Sequence, residues 1–189
     1  MKNIVLVSAS PTRNGNGDAL LEASKRMFES QDIKVHTFHI RDLNLHPCKA
    51  CYGCAKTGVC VQNDDMKQIL DALHECDGFI VESPIYYNHL SAQLHIVIDR
   101  LCCTFACKSY KVGPKKKIGV FLTCTGSNEK DMENHIDLLA ELPSLKRSIQ
   151  DIRTHVFTNC NTKDTCKNSE EYINIAQNIA MWMLDEGEI

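Results

Sequence analysis

Four cysteines, Cys48, Cys51, Cys54 and Cys60, fall within thirteen residues in the spacing C-x2-C-x2-C-x5-C. Thiolates at successive x2 spacing can wrap one corner of a cuboidal cluster, in which each iron needs a soft ligand. Structural zinc more often uses two separated C-x2-C pairs. In compact ferredoxin runs the fourth cysteine serves a second cluster and precedes proline. Here Cys60 precedes Val61, which favours a single cluster with Cys60 as its fourth ligand. Three states stay open for this cysteine-rich loop at 46–63: an iron–sulfur cluster, zinc, or thiols without metal. The remaining cysteines, Cys76, Cys102, Cys103, Cys107, Cys160 and Cys166, read as small buried hydrophobes.

A second candidate site is the stretch SASPTRNGNGDAL, which follows an apolar strand and opens a helix. Free backbone N–H groups and the helix dipole at such a junction favour an anion, phosphate above all. Ser8, Ser10, Thr12 and Asn16 add neutral donors and Arg13 a charge, while Gly15 and Gly17 allow close approach of the backbone. Leu20 stands where a dinucleotide fingerprint needs its third glycine, and no Gly-Lys-Ser/Thr follows to make a P-loop. There is no H-E-x-x-H and no G-x-S-x-G. The pair Tyr52-x3-Lys56 lies inside the cysteine loop without a glycine fingerprint and reads as coincidence.

The elements that position these residues follow from hydrophobic periodicity. Ile4 to Val7 reads as a strand buried on both faces, and Ala19, Leu20, Ala23, Met27 and Phe28 as one face of a helix ending near Gln31. Lys34 to Ile40 is strand-like, Asp64 can cap a helix carrying Met66, Ile69, Leu70 and Leu73, and Gly78 to Val81 is a third strand. A polar loop at 83–91 leads to a helix with Leu94, Val97, Ile98 and Leu101, then a connection over 103–116 and a strand at Ile118 to Leu122. Helix Lys130 to Leu142, strand Thr154 to Thr158 and helix Glu170 to Leu184 complete five strand–helix alternations, which predict a doubly wound parallel α/β sheet. Ligands of such sheets sit beyond the C-terminal strand ends, so the loops after the first, third and fourth strands are the ones to inspect. Lys115, Lys116 and Lys117 read as a solvated strand entry, and Asp99-Arg100 as a structural ion pair.

The 189 residues, net charge of −3 and 43% hydrophobic content suit one domain spanning 1–189 and give no footprint of a nucleic-acid binder. The apolar run at 4–7 is shorter than the roughly 7 to 15 residues of a signal-peptide core, and no segment approaches a membrane span of roughly 18, so the expected location is cytoplasmic. Eleven cysteines, an odd number, fit thiols or metal thiolates better than a disulfide scaffold.

Taken together, SPTRNGNGDAL, SPIYYNHLSAQLHIVIDR and FLTCTG make the chain resemble the NAD(P)H-dependent FMN reductases of the flavodoxin-like superfamily. With the cysteine loop included it is most similar to their iron–sulfur flavoprotein branch. The likeness runs from Ile4 to about Gly126. It implies a three-layer sandwich with a five-stranded parallel sheet in the order 2-1-3-4-5. It also implies FMN, with its phosphate on Ser8, Ser10, Thr12, Arg13, Asn16 and Gly17 and its ring against Pro84, Ile85, Tyr86, Tyr87, Asn88, Thr123, Cys124, Thr125 and Gly126. Relatives often carry Ser or Thr where Gly17 stands, and Lys where His95 stands. The resemblance further implies a 4Fe-4S cluster on Cys48, Cys51, Cys54 and Cys60, NAD(P)H as cosubstrate, and a homodimer or homotetramer. The partner would be a small-molecule electron acceptor or a redox protein. A non-enzymatic electron carrier is the competing expectation, and a metal-sensing module without flavin a third.

Overall fold

A computed structural model describes residues 2–103, 113, 115–126 and 148–185. The elements are β1 (Asn3–Ser8), α1 (Asn16–Glu29), β2 (Lys34–His39), a 3-10 turn (Ile40–Asp42), α2 (Cys54–Thr57), α3 (Met66–Glu75), β3 (Gly78–Tyr86), β4 (His89–Leu90), α4 (Ala92–Arg100), β5 (Lys116–Thr123), β6 (Ile149–Phe157) and α5 (Glu170–Leu184). The sheet runs β2-β1-β3-β5-β6, all parallel, with the two-residue β4 folded antiparallel onto the end of β3. Setting β4 aside, this is the expected 2-1-3-4-5 order. The expected helix at 130–142, most of the 103–116 connection and Cys107 lie outside the described residues. Among the described residues no helix is long and apolar enough to cross a membrane.

Side chains alternate across the pleat, so each central strand feeds two cores. Val5, Val7, Phe79, Val120 and Leu122 face α3 and α4, through Met66, Ile69, Leu94 and Val97. Ile4, Leu6, Ile80 and Phe121 face α1 and α5, through Leu20, Phe28, Ala176, Ile179 and Met183. That two-sided burial is why Ile4 to Val7 forms an unbroken apolar run. Helices α4 and α5 are capped by Ser91 and Ser169, whose hydroxyls accept the N–H of Leu94 and of Tyr172.

Three features depart from the sequence reading. The stretch at 83–91 is not an open loop: β3 continues to Tyr86 and turns on Tyr87 and Asn88, both at positive φ (50° and 60°), as a tight two-residue hairpin demands. Lys116 is buried rather than solvated, and its ammonium donates to the carbonyls of Leu73, His74 and Cys76, closing the C-terminal end of α3. Lys117 does the same for α5 through Trp182 and Asp185.

The ion partner of Arg100 is Asp64, at the far end of the cysteine loop. Both side chains are only 1% exposed. Arg100 Nη1 donates to Asp64 and to the carbonyl of His46 (3.2 Å), and Nη2 to the sulfur of Cys60 (3.1 Å). Burial opposes the charge on Asp64, but Arg100 and the N–H groups of His46 and Met66 outweigh it and hold the carboxyl at about 2. One guanidinium thus ties both ends of the cysteine loop to the last residue of α4. Removing one partner of a buried pair strands the other charge, so Arg100→Ala is expected to cost about 3–5 kcal/mol in urea unfolding. Replacing both residues by leucine should cost much less, and a double substitution as damaging as the single one would contradict this role.

Candidate functional site

At the C-terminal edge of the sheet, four loops enclose a cleft of about 290 Å³. Ser10, Thr12, Asn16 and Gly17 line it from the β1–α1 junction; Pro84, Ile85 and Tyr86 from the end of β3; Thr123, Cys124 and Thr125 from the end of β5; and Cys160, Asn161, Thr162 and Lys163 from the loop after β6. One wall is therefore an apolar and aromatic slab, and the others carry hydroxyls, amides and a single lysine. Helix α1 starts at this cleft without a side-chain cap on Gly15, leaving its first N–H groups for a ligand. Donors of this type match a phosphate, and the slab matches a flat ring, so the residues present fit an FMN-like group.

Other sequence-predicted residues stand elsewhere. Ser8 is fully buried, with its hydroxyl 3.2 Å from Asp18 and 3.4 Å from Glu82, so it props the loop from beneath. Arg13 points outward and pairs with Asp42. Asn16 reaches the loop after β6, donating to the carbonyl of Thr162 (2.7 Å) and accepting the N–H of Cys166 (2.8 Å). Its amide is thus a clamp between two loops, leaving only its backbone for an anion. Tyr87 is fully exposed at the hairpin tip with Asn88, outside the cleft lining, and Gly126 stands open with nothing near its α-carbon face.

Sequence reasoning missed three contributors. Arg41 braces the β1–α1 loop, donating to the carbonyls of Ser10 (3.2 Å) and Thr12 (3.4 Å) while paired with Asp18 (2.8 Å). The loop after β6 was overlooked although it leaves the same sheet edge as the others. Glu82 is the third. It hides in the strand run GFIVES, yet its carboxyl is fully buried beneath Gly17, 3.4 Å from the hydroxyls of Ser8 and Thr123. Burial first, and then the charge of Asp18, push it from the ordinary 4.5 up to about 8, against the hydroxyl bonds and Arg41. Tyr86 is raised as well, by burial and by Glu82.

The cysteine loop divides its sulfurs. Cys48 and Cys51 are exposed, and Cys54 and Cys60 are partly covered. Partial burial and then the neighbouring thiols of Cys48 and Cys54 push Cys102 up to about 12, whereas Cys60 is turned onto Arg100. Among the described residues no three His, Cys, Asp or Glu side chains converge on a point where a metal would sit.

Residues 2–148 match the family described as NADPH-dependent FMN reductase. An iron–sulfur flavoprotein of Archaeoglobus fulgidus is 34% identical over 95 residues, covering 50% of this chain and 43% of that protein. One from Methanosarcina thermophila is 29% identical over 130 residues, covering 69% and 66%. The chain therefore aligns with between two fifths and two thirds of these relatives' own length. In fold, an NAD(P)H:quinone oxidoreductase from Methanothermobacter marburgensis superposes with a TM-score of 0.75 at 14% identity, over 99% of each chain.

Glu82 generates a pH prediction. The folded chain holds its proton between the ordinary value of 4.5 and about 8, while the unfolded chain releases it. Stability should therefore fall as pH rises through that window, by at most about 1.4 kcal/mol per pH unit, and Glu82→Gln should flatten the slope. A side chain at position 17 would overlap the Glu82 carboxyl, so Gly17→Ala should cost about 1–3 kcal/mol. Glu82→Ala should relieve part of that cost in the double variant; strict additivity in urea unfolding would refute the contact.

Proposed function

Because the chain belongs to the NADPH-dependent FMN reductase family, we propose that it is an FMN-dependent oxidoreductase, carrying electrons from NAD(P)H through flavin to a quinone, flavin or other acceptor. The observation that carries this reading is the cleft at the strand ends, in which a helix N-terminus and hydroxyls stand opposite the slab of Pro84, Ile85 and Tyr86. FMN bound there supplies hydride acceptance and one- or two-electron release. The chain supplies position: the first N–H groups of α1 with Ser10 and Thr12 hold the phosphate, and Lys163 balances its charge. Pro84 to Tyr86 and Thr123 to Thr125 hold the ring and exclude water from one side. Glu82, protonated at neutral pH, keeps a second negative charge away from the phosphate.

Residues 1–189 then form one FMN-binding domain, acting as a homodimer or homotetramer on a small acceptor or redox protein. The thiols of Cys48, Cys51, Cys54 and Cys60 are the right donor class for an iron–sulfur cluster, and the likeness to iron–sulfur flavoproteins supports one here. Their sulfurs do not converge among the described residues, so the proposed reaction takes no step through a cluster.

The test is anaerobic. Protein loaded with FMN and mixed with NADPH, or with NADH, is expected to lose its flavin absorption and regain it when a quinone is added. Bound flavin that stays oxidised under both nucleotides would instead identify a carrier served by another reductase. In the same preparation, Cys51→Ala should lower iron content without releasing FMN; iron-free wild-type protein prepared without air would remove the cluster from the proposal.

A further inference from the structure

We propose that, in the chain without flavin, Cys160 and Cys166 form a thiol–disulfide exchange site on the wall of the cleft, Cys160 attacking a low-molecular-weight disulfide and Cys166 resolving the product. Their sulfurs are 3.6 Å apart across five intervening residues. Cys160 is half-buried and lines the cleft, whereas Cys166 is wholly buried behind it. One thiol faces an incoming molecule and the other faces only its neighbour, which is the division of labour that exchange requires.

The loop that carries them is held at several points. The N–H of Cys160 donates to the carbonyl of Cys124 (2.9 Å), Thr162 and Thr165 bond each other, and Asn16 grips both Thr162 and the N–H of Cys166. Two sulfurs on a braced turn stay in register, and a disulfide of about 2.05 Å needs them to close by only about 1.5 Å. The hydrogen bond shared with Cys166 draws the Cys160 thiol below its ordinary value, against the effect of burial. The same bond, then burial and the charges of Cys160 and Glu82, raise Cys166. The outer sulfur, which rests against the carbonyls of Phe157 (3.3 Å) and Thr158 (3.6 Å), is the one open to the cleft, so it is the nucleophile, and the buried inner sulfur resolves. Lys163, in the same wall, adds a cation at the mouth.

The chemistry balances without another reagent. The Cys160 thiolate attacks one sulfur of an external disulfide, the external S–S bond breaks, and one small thiolate leaves. Cys166 gives its proton to that leaving group and attacks the sulfur of Cys160, releasing the second small thiolate as the Cys160–Cys166 bond forms. The external disulfide gains two electrons and the protein pair loses two. A small dithiol drives the reverse.

The experiment treats the full chain with 2-hydroxyethyl disulfide at neutral pH, quenches with acid, alkylates remaining thiols and maps tryptic peptides by mass. Cleavage after Lys163 separates the two cysteines, so the expected product is peptide 154–163 joined to peptide 164–167, two hydrogens lighter than the separate thiols. In Cys166→Ser the same treatment should leave one probe adduct on peptide 154–163 and no cross-link. Full recovery of both cysteines as alkylated thiols while exposed Cys51 carries the probe would overturn the proposal, as would a bond from Cys160 to any third cysteine.

Discussion

A carboxyl group enclosed in protein costs several kcal/mol unless it keeps its proton or finds a cation, and Glu82 is enclosed where β1, β3, β5 and α1 meet. It keeps the proton. Its oxygens lie between the hydroxyls of Ser8 and Thr123, and its carboxyl fills the space that a side chain at position 17 would take. The buried acid links the protonation of the sheet to the start of α1, since an ionised Glu82 would sit directly below Gly17 in the first turn of that helix. Asp18, whose charge acts on Glu82, is paired with Arg41, which also fixes the loop through the carbonyls of Ser10 and Thr12.

The same pattern of one buried polar group organising several chain segments recurs away from the cleft. Arg100 holds His46, Cys60 and Asp64, so a loop with few apolar anchors is attached to α4 by charge and hydrogen bonds instead. Lys116 and Lys117 close the ends of α3 and α5 from neighbouring positions on β5. Asn16 joins the β1–α1 junction to the loop after β6, giving the cleft a fourth wall whose position depends on the first. Each of these contacts spans elements far apart in sequence, so each is set by the topology rather than by local propensity.

That distinction explains what the sequence disclosed. The run Ile4 to Val7 and the periodic helix at 170–184 were readable because burial on two faces, or on one stripe, leaves a direct pattern. The positions of Ser10, Thr12 and Pro84 to Tyr86 followed from the rule that ligands gather at C-terminal strand ends. Arg13 and Ser8 looked equally suitable by residue type, yet one turns outward to Asp42 and the other inward to Glu82, a choice made by partners a one-dimensional reading does not see. Glu82 was hidden for the same reason: its neighbours in space come from three other elements. Tyr87-Asn88 read as loop because the usual glycine of a tight hairpin is absent and two side chains accept positive φ in its place.

The claim on which the account turns is that the start of α1 grips a phosphate, and comparing FMN with riboflavin isolates that grip because the two differ only there. Titrated by flavin fluorescence at neutral pH, FMN should bind at least about 100-fold more tightly than riboflavin, the equivalent of about 2.7 kcal/mol of charge-assisted hydrogen bonding at the helix N-terminus. Equal affinities for the two, or binding of neither, would contradict it.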